Sequence, residues 1–368
     1  MAVTRRAFGL GLLAVGVAGT GGYLAVRDRP DLQGLFGNKT RLFGFLGGEK
    51  QAFIVDPETV SALAGYGLQL DARVAGSVEM VRQPEILSQK PQFLWPSSSV
   101  MVDIARRSGV AVRRDQVVLN APIVAYTWQP GADGLQKSGL VTVTPEGFRQ
   151  LDLKALLAAI LAGTEWSKVG VDMLYGRVRI DSTDPNRSNS GFMFSGLMLS
   201  LLSGAVASLD DLARHGDDAI AIFRTMGLKS SSSGKLFDQY LAGGLGAEPM
   251  VVGYENQLIE WILADANRWS AIQASSAPKP VMLYPKPTVY SAHPLIVVDP
   301  AADRMLEAML SPRLQAIAWT RHGFRGPLGR PASAAEGAVK GMLPEEISSV
   351  LPMPDADVML ALLARLAA

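Results

Sequence analysis

The chain has 368 residues, 48% of them hydrophobic, which is enough for two ordinary domains with real cores and far from the composition of a disordered protein. With 35 basic against 34 acidic residues the formal charge is +1, so no concentrated positive field exists for a phosphate backbone and no nucleic-acid partner is expected. The lack of any cysteine excludes disulfides, thiolate metal sites, cysteine nucleophiles and a lipid-modified cysteine, so any anchoring must be by peptide.

Residues 1–30 read as an export signal or a membrane anchor. Thr4, Arg5, Arg6, Ala7 and Phe8 form a short positive region. An uncharged stretch follows through Val26, then the charged break Arg27, Asp28, Arg29, Pro30; the pattern resembles a twin-arginine signal. Ala7 to Val26 reaches the ~20 apolar residues of a transmembrane helix, softened by glycines. Cleavage after Ala18 and retention as an anchor in the membrane through residues 7–26 are both open. Either leaves Arg5 and Arg6 on the cytoplasmic side and the globular body in the periplasm or otherwise outside the cytoplasm. Gly9, Gly11 and Ala14 fit G-x-G-x-x-A but follow no strand, so they are no dinucleotide fingerprint.

After a linker over residues 31–40, short apolar strands and amphipathic helices alternate, which predicts α/β lobes with mainly parallel sheets flanked by helices. Arg41 to Leu46 reads as the first strand, and Asp56 with Pro57 caps a helix to about Ala64. Leu68 to Val74 alternates as a second strand ending at Gly76 and Ser77, with a helix from Val78. Phe93 to Trp95 is a third strand, and Pro96 with Ser97, Ser98 and Ser99 prepares the next helix through side-chain caps. Pro122 to Trp128 is a long strand able to cross into a second lobe. There Asp152 caps Leu153 to Ala162, a strand is predicted at Arg177 to Asp181, and Phe192 to Leu202 is a strongly apolar helix. Met250 to Gly253 feeds Tyr254, Glu255 and Asn256, which open a helix ending near Ala266. Val281 to Tyr284 and Leu295 to Val298 return the chain, Ser311 and Pro312 cap a late helix, and the Pro-rich stretch from Gly326 to Pro354 wraps the surface.

Catalytic and metal signatures are thin, and no catalytic residue, metal or cofactor is assigned. His215, His293 and His322 have no metal-ligand spacing, no serine sits in G-x-S-x-G, and Gly227 to Lys235 has two residues too many between its glycines for a P-loop. The Ser230 to Ser233 run reads as a surface turn, and Asp210, Asp211, Asp217 and Asp218 as a solvated face. Four glycine- and serine-rich loops join strand ends to helix starts: Gly47 to Lys50, Gly76 to Glu79, Pro96 to Ser99 and Ser188 to Gly191. Such loops offer free N–H groups and a partial positive dipole to an anionic or strongly polar ligand, and they converge if two lobes face each other. Each loop alone equally suits a helix cap.

These residues resemble the two-lobed type II periplasmic solute-binding proteins that serve ABC-type importers, over roughly residues 40–325. The likeness is carried by a G-S turn (Gly76, Ser77), a W-P-x-S turn (Trp95, Pro96, Ser97, Ser99), an S-N-S-G turn (Ser188 to Gly191), then Gly253, Tyr254, Glu255 and His293, Pro294, Leu295. The first-loop G-S-E element stands here as Gly47, Gly48, Glu49, one hydroxyl fewer. The resemblance implies lobe 1 over 41–125, lobe 2 over 126–280, and a return to lobe 1 with a C-terminal wrapping segment over 281–368. It implies binding and not turnover: a small polar, anionic solute closed between the lobes for delivery to a membrane importer. The ligand contacts it implies are Gly48, Glu49, Lys50, Gly76, Ser77, Ser97, Ser98, Ser99, Ser188, Asn189, Ser190, Gly191, Tyr254 and Glu255, with Lys50 or Arg187 adding charge. The alternative is a membrane-tethered sensor that uses the same scaffold to engage a signalling partner.

Overall fold

The computed structural model describes residues 39–227, 229–327, 339 and 342–367; the signal or anchor expected over residues 1–30 and nearly all of the expected linker lie outside them. Among the described residues no helix is long and apolar enough to cross a membrane.

Lobe 1 begins with β1 (Thr40–Leu46), a single 3-10 turn (Gly48–Lys50), α1 (Gln51–Val55) and α2 (Pro57–Gly65). Asp56 starts α2 as expected: its carboxylate accepts the Glu58 amide at 2.8 Å, and Pro57 occupies a first-turn position whose missing N–H leaves nothing unsatisfied. Then come β2 (Leu68–Val74), α3 (Ser77–Arg82), β3 (Phe93–Trp95) and α4 (Val100–Arg107). Ser99 stands at the N-cap of α4 but is exposed and makes no side-chain cap, contrary to the expectation for this turn.

β4 (Arg114–Trp128) is one 15-residue strand that belongs to two sheets. Lobe 2 adds α5 (Gln129–Lys137), β5 (Val141–Val143), β6 (Arg149–Leu151), α6 (Leu153–Leu161), α7 (Asn189–Ser203) and α8 (Leu209–Arg224). It continues through α9 (Ser233–Ala247), β7 (Met250–Tyr254), α10 (Glu255–Ala264), α11 (Ala266–Ala274) and β8 (Pro280–Pro285). The return is β9 (Tyr290–Val297), α12 (Pro312–His322) and α13 (Ala356–Ala367).

In the first sheet the order is β2-β1-β3-β9-β4, and Arg114 to Pro122 of β4 pair with β9. In the second, Ile123 to Thr127 of β4 pair with β7, and Ala125 to Trp128 pair with β8. Among the described strands, parallel pairing is confined to β1 with β2 and β3 and to β6 with β8, so the sheets are mixed where the sequence suggested mainly parallel ones. The physical cause is the return: β9 runs back between β3 and β4, antiparallel to both.

The predicted strand at Arg177 to Asp181 is not formed. Its alternation is real, since Val178 and Ile180 are buried, but only the isolated bridges Glu165–Arg177 and Asp181–Val251 flank it. The helix expected to run from Tyr254 to about Ala266 breaks at Asp265, whose side chain caps the Arg268 amide and starts α11. α7 starts three residues before its expected first residue and is buried on every side from Asn189 to Leu201. An all-round apolar helix of this kind can only be a core element, and it fixes the direction in which its N-terminus points. α13 packs on α7 and α8 in lobe 2, while its Asp357 pairs with Arg107 at the end of α4 in lobe 1.

Candidate functional site

A cleft of about 660 Å³ separates the lobes. Lobe 1 contributes Gly47 to Glu49, Val74 to Ser77 and Glu79. Lobe 2 contributes Arg187 to Asn189, Ser231 to Lys235, Asn256, Gln257 and Glu260. Three lobe 2 helices, α7, α9 and α10, therefore begin on this cleft, which concentrates first-turn N–H groups and the positive ends of helix dipoles on one wall.

The lobes touch at the cleft edge. Asn189 donates from Nδ2 to the Ser97 carbonyl of lobe 1 at 2.7 Å and to the Tyr254 hydroxyl at 3.0 Å. Because a carbonyl can only accept, this contact fixes the amide orientation and leaves Asn189 Oδ1, buried, with no hydrogen-bond partner. Gly76 sits against the Arg187 backbone so closely that a Cβ there would lie 2.0 Å from the Arg187 carbonyl oxygen. Asn256, 1% exposed, lines the cleft with both Nδ2 and Oδ1 unpartnered.

Behind the lobe 1 wall lies a buried polar cluster. The Lys50 ammonium donates to Glu49 Oε1 at 2.5 Å, Ser97 Oγ at 2.7 Å and His293 Nδ1 at 3.0 Å, so its three protons are all used. Ser97 Oγ in turn donates to Glu49 Oε1. With Nδ1 accepting, His293 donates from Nε2 to Ser291 Oγ at 3.2 Å, and Ser291 donates to the Ser97 carbonyl at 2.6 Å. Burial alone would raise the Glu49 carboxyl, but the adjacent Lys50 charge and the His293 contacts override it and hold the group well below the usual carboxylate range. Burial pushes Lys50 down, opposed by Glu49. Burial and then the Lys50 charge push His293 down to about 4, so the imidazole is neutral and its 3.5 Å approach to Glu49 is not an ion pair.

Of the residues singled out in the sequence, Gly48, Glu49, Gly76, Ser77, Arg187, Ser188 and Asn189 line the cleft. The others do not. Lys50 and Ser97 are fully buried in the cluster just described, Ser98 is buried, and Ser99 is exposed away from the cleft. Ser190 pairs with Thr183 Oγ1 at 2.7 Å inside lobe 2, and Gly191 is needed where a Cβ would lie 2.2 Å from the Thr183 carbonyl oxygen. Tyr254 is the buried partner of Asn189; burial, with the Glu49 charge, pushes its hydroxyl well above 10. Glu255 is buried in a different network, where Arg325 donates from Nε at 2.6 Å and Nη2 at 2.7 Å and Tyr284 donates at 2.6 Å. Arg325 also binds the Pro344 carbonyl at 2.9 Å, tying the C-terminal segment to lobe 2. Sequence reasoning missed the Ser231 to Lys235 run and Asn256. The run of serines before a glycine and a lysine at a helix start was the available signal for the first; Asn256 gave none beyond its place beside Glu255.

No protein-family model matches the sequence, and no curated protein matches it. Solved structures do. The ferric ion-binding protein A of Pasteurella haemolytica, in its apo form, superposes with a TM-score of 0.58 at 12% identity over 90% of this chain and 97% of its own. AfuA, a periplasmic binding protein from Actinobacillus pleuropneumoniae with fructose-6-phosphate bound, gives 0.57 at 11% over 88% and 97%. The fold is that of the two-lobed periplasmic binding proteins. The substrate-binding protein of an ABC transporter from Agrobacterium tumefaciens gives 0.57 at 14% identity over 92% and 96%, so the bilobal fold extends over nearly the whole chain. Among the described residues no group of three or more His, Cys, Asp or Glu side chains is arranged to hold a metal ion.

Proposed function

We propose that this chain is an extracytoplasmic solute-binding protein that captures a small polar solute with anionic character between its lobes and presents it to an ABC-type importer in the membrane. One observation carries the reading: buried amide atoms of Asn189 and Asn256 stand unpartnered on a cleft wall. A buried polar group without a partner costs about 1–3 kcal/mol, which a bound solute recovers. The helix starts of α7, α9 and α10 and the cation Lys235 support anionic character, while Arg187 lies 3.9 Å from Glu79 and the carboxylates Glu49, Glu79, Asp238 and Glu260 share the lining. Binding without turnover is supported by the serine–lysine pair buried behind the lobe 1 wall. Ser97 and Lys50 are both 0% exposed, and the ammonium donates all its protons, so neither is free to attack a substrate.

One neighbour holds fructose-6-phosphate and another is a ferric ion-binding protein, so the fold by itself does not choose the solute. Thermal midpoints of the full chain across a panel of oxyanions, phosphate esters, sugars and amino acids should rise for one class at ligand excess, by roughly 3 kcal/mol of apparent stability at a hundredfold excess over Kd. A flat panel overturns the reading.

A further inference from the structure

We infer that the cleft is built for a polyhydroxylated solute carrying a phosphoryl or similar oxyanion group, with separate places for the two parts. This deepens the solute-binding reading and rests on it. The first place is the start of α9. Ser231 to Lys235 line the cleft there, and Ser232 Oγ accepts the Lys235 amide at 3.3 Å. The first-turn N–H groups of Ser233 and Gly234 have no hydrogen-bond partner among the described residues. A helix that runs from Ser233 to a kink at Gly244, with free N–H groups and a lysine in its first turn on the cleft, is suited to a tetrahedral oxyanion.

The second, independent place is Asn256. Its side chain is buried, lines the same cleft and has both a donor and an acceptor unmatched. Either orientation of the amide leads to the same demand. An ammonium only donates and would leave Nδ2 unmatched; a carboxylate only accepts and would leave Oδ1 unmatched. A hydroxyl does both. Two further acceptors on the wall need donors: Asn189 Oδ1, and Glu49 through Oε2, since every hydrogen bond Glu49 accepts falls on Oε1. One carboxamide has two N–H groups, too few for three such acceptors, whereas neighbouring hydroxyls supply one donor each.

The test is calorimetric titration of the full chain with three probes: sorbitol 6-phosphate, sorbitol and inorganic phosphate. The expected result is binding of the ester at least tenfold tighter than either part. Asn256→Ala should weaken the ester by roughly 10- to 100-fold and leave inorganic phosphate unchanged, while Lys235→Gln should weaken the ester and phosphate but not sorbitol. Phosphate binding as tightly as the ester would mean an oxyanion site with free phosphate as its source. Sorbitol binding as tightly would mean a polyol site; either result overturns the inference, as do two variants without effect. If the three probes fail while another class stabilises the chain in the thermal panel, this inference fails alone; if that panel is flat as well, the solute-binding reading fails with it.

Discussion

Gly76 gives the sharpest handle on closure. Its φ of −62° and ψ of 144° are open to alanine, so Gly76→Ala leaves lobe 1 able to fold. The added Cβ would meet the Arg187 carbonyl oxygen at 2.0 Å, against the 3.4 Å or more of ordinary contact, so the lobe 1 and lobe 2 backbones must part by more than an ångström. That separation also stretches the neighbouring Asn189 to Ser97 hydrogen bond, now 2.7 Å. A clash of this size costs roughly 1–3 kcal/mol, a 5- to 150-fold shift from closed to open forms. The chain has no cysteine, so single cysteines introduced at exposed Gln69 in lobe 1 and Lys154 in lobe 2 accept spin labels without background. In a metabolite extract of the host, which supplies the solute, the pulsed dipolar distance distribution should hold a short-distance population that Gly76→Ala depletes, with an unchanged unfolding midpoint in plain buffer. An undiminished short-distance population would refute the role of this contact.

The buried Glu255–Arg325 pair should behave as a unit. Glu255→Gln or Arg325→Met alone should cost roughly 3–5 kcal/mol in urea unfolding, and the double variant clearly less than the sum; additive losses would show the pair is not coupled. His293 supplies acid sensitivity. The unfolded chain takes up its proton near 6.5 and the folded chain only at about 4, so stability present above pH 6.5 falls as pH drops through that window, by roughly 3 kcal/mol in full. His293→Gln should flatten that limb, and parallel pH curves for the two proteins would count against it. Asp181 has the opposite sign: burial raises its carboxyl to about 6, so ionisation destabilises the fold as pH rises from 3.8 through 6. Asp181→Asn should therefore stabilise by roughly 3 kcal/mol at pH 7.5 and not at pH 3.5, and equal effects at both would exclude the mechanism.

Local chemistry was legible in the sequence wherever a residue acts on its own neighbours. The caps at Asp56, Asp152 and Ser311 and the crossing strand before Trp128 stand where expected, because their partners lie within a few residues or along one strand. The turns at Gly76 and Ser188 do reach the cleft. What could not be read is set by partners far along the chain. Lys50 is drawn inward because Ser97 and His293 arrive from 47 and 243 residues away. Glu255 is claimed by Arg325, 70 residues on, which removes it from the cleft and leaves Asn256 facing it. The Ser230 to Ser233 run read as a surface turn because its counterpart across the cleft, the Gly48–Lys50 turn, belongs to the other lobe.

The most direct measurement is a native mass spectrum of the full chain purified from its own host, set beside the spectrum of Asn256→Ala prepared in the same way. Capture in the cleft predicts one small-molecule adduct on the parent protein and its loss or marked depletion in the variant. An adduct of equal abundance on both would place the solute elsewhere, and bare protein in both, with a flat thermal panel, would contradict solute capture.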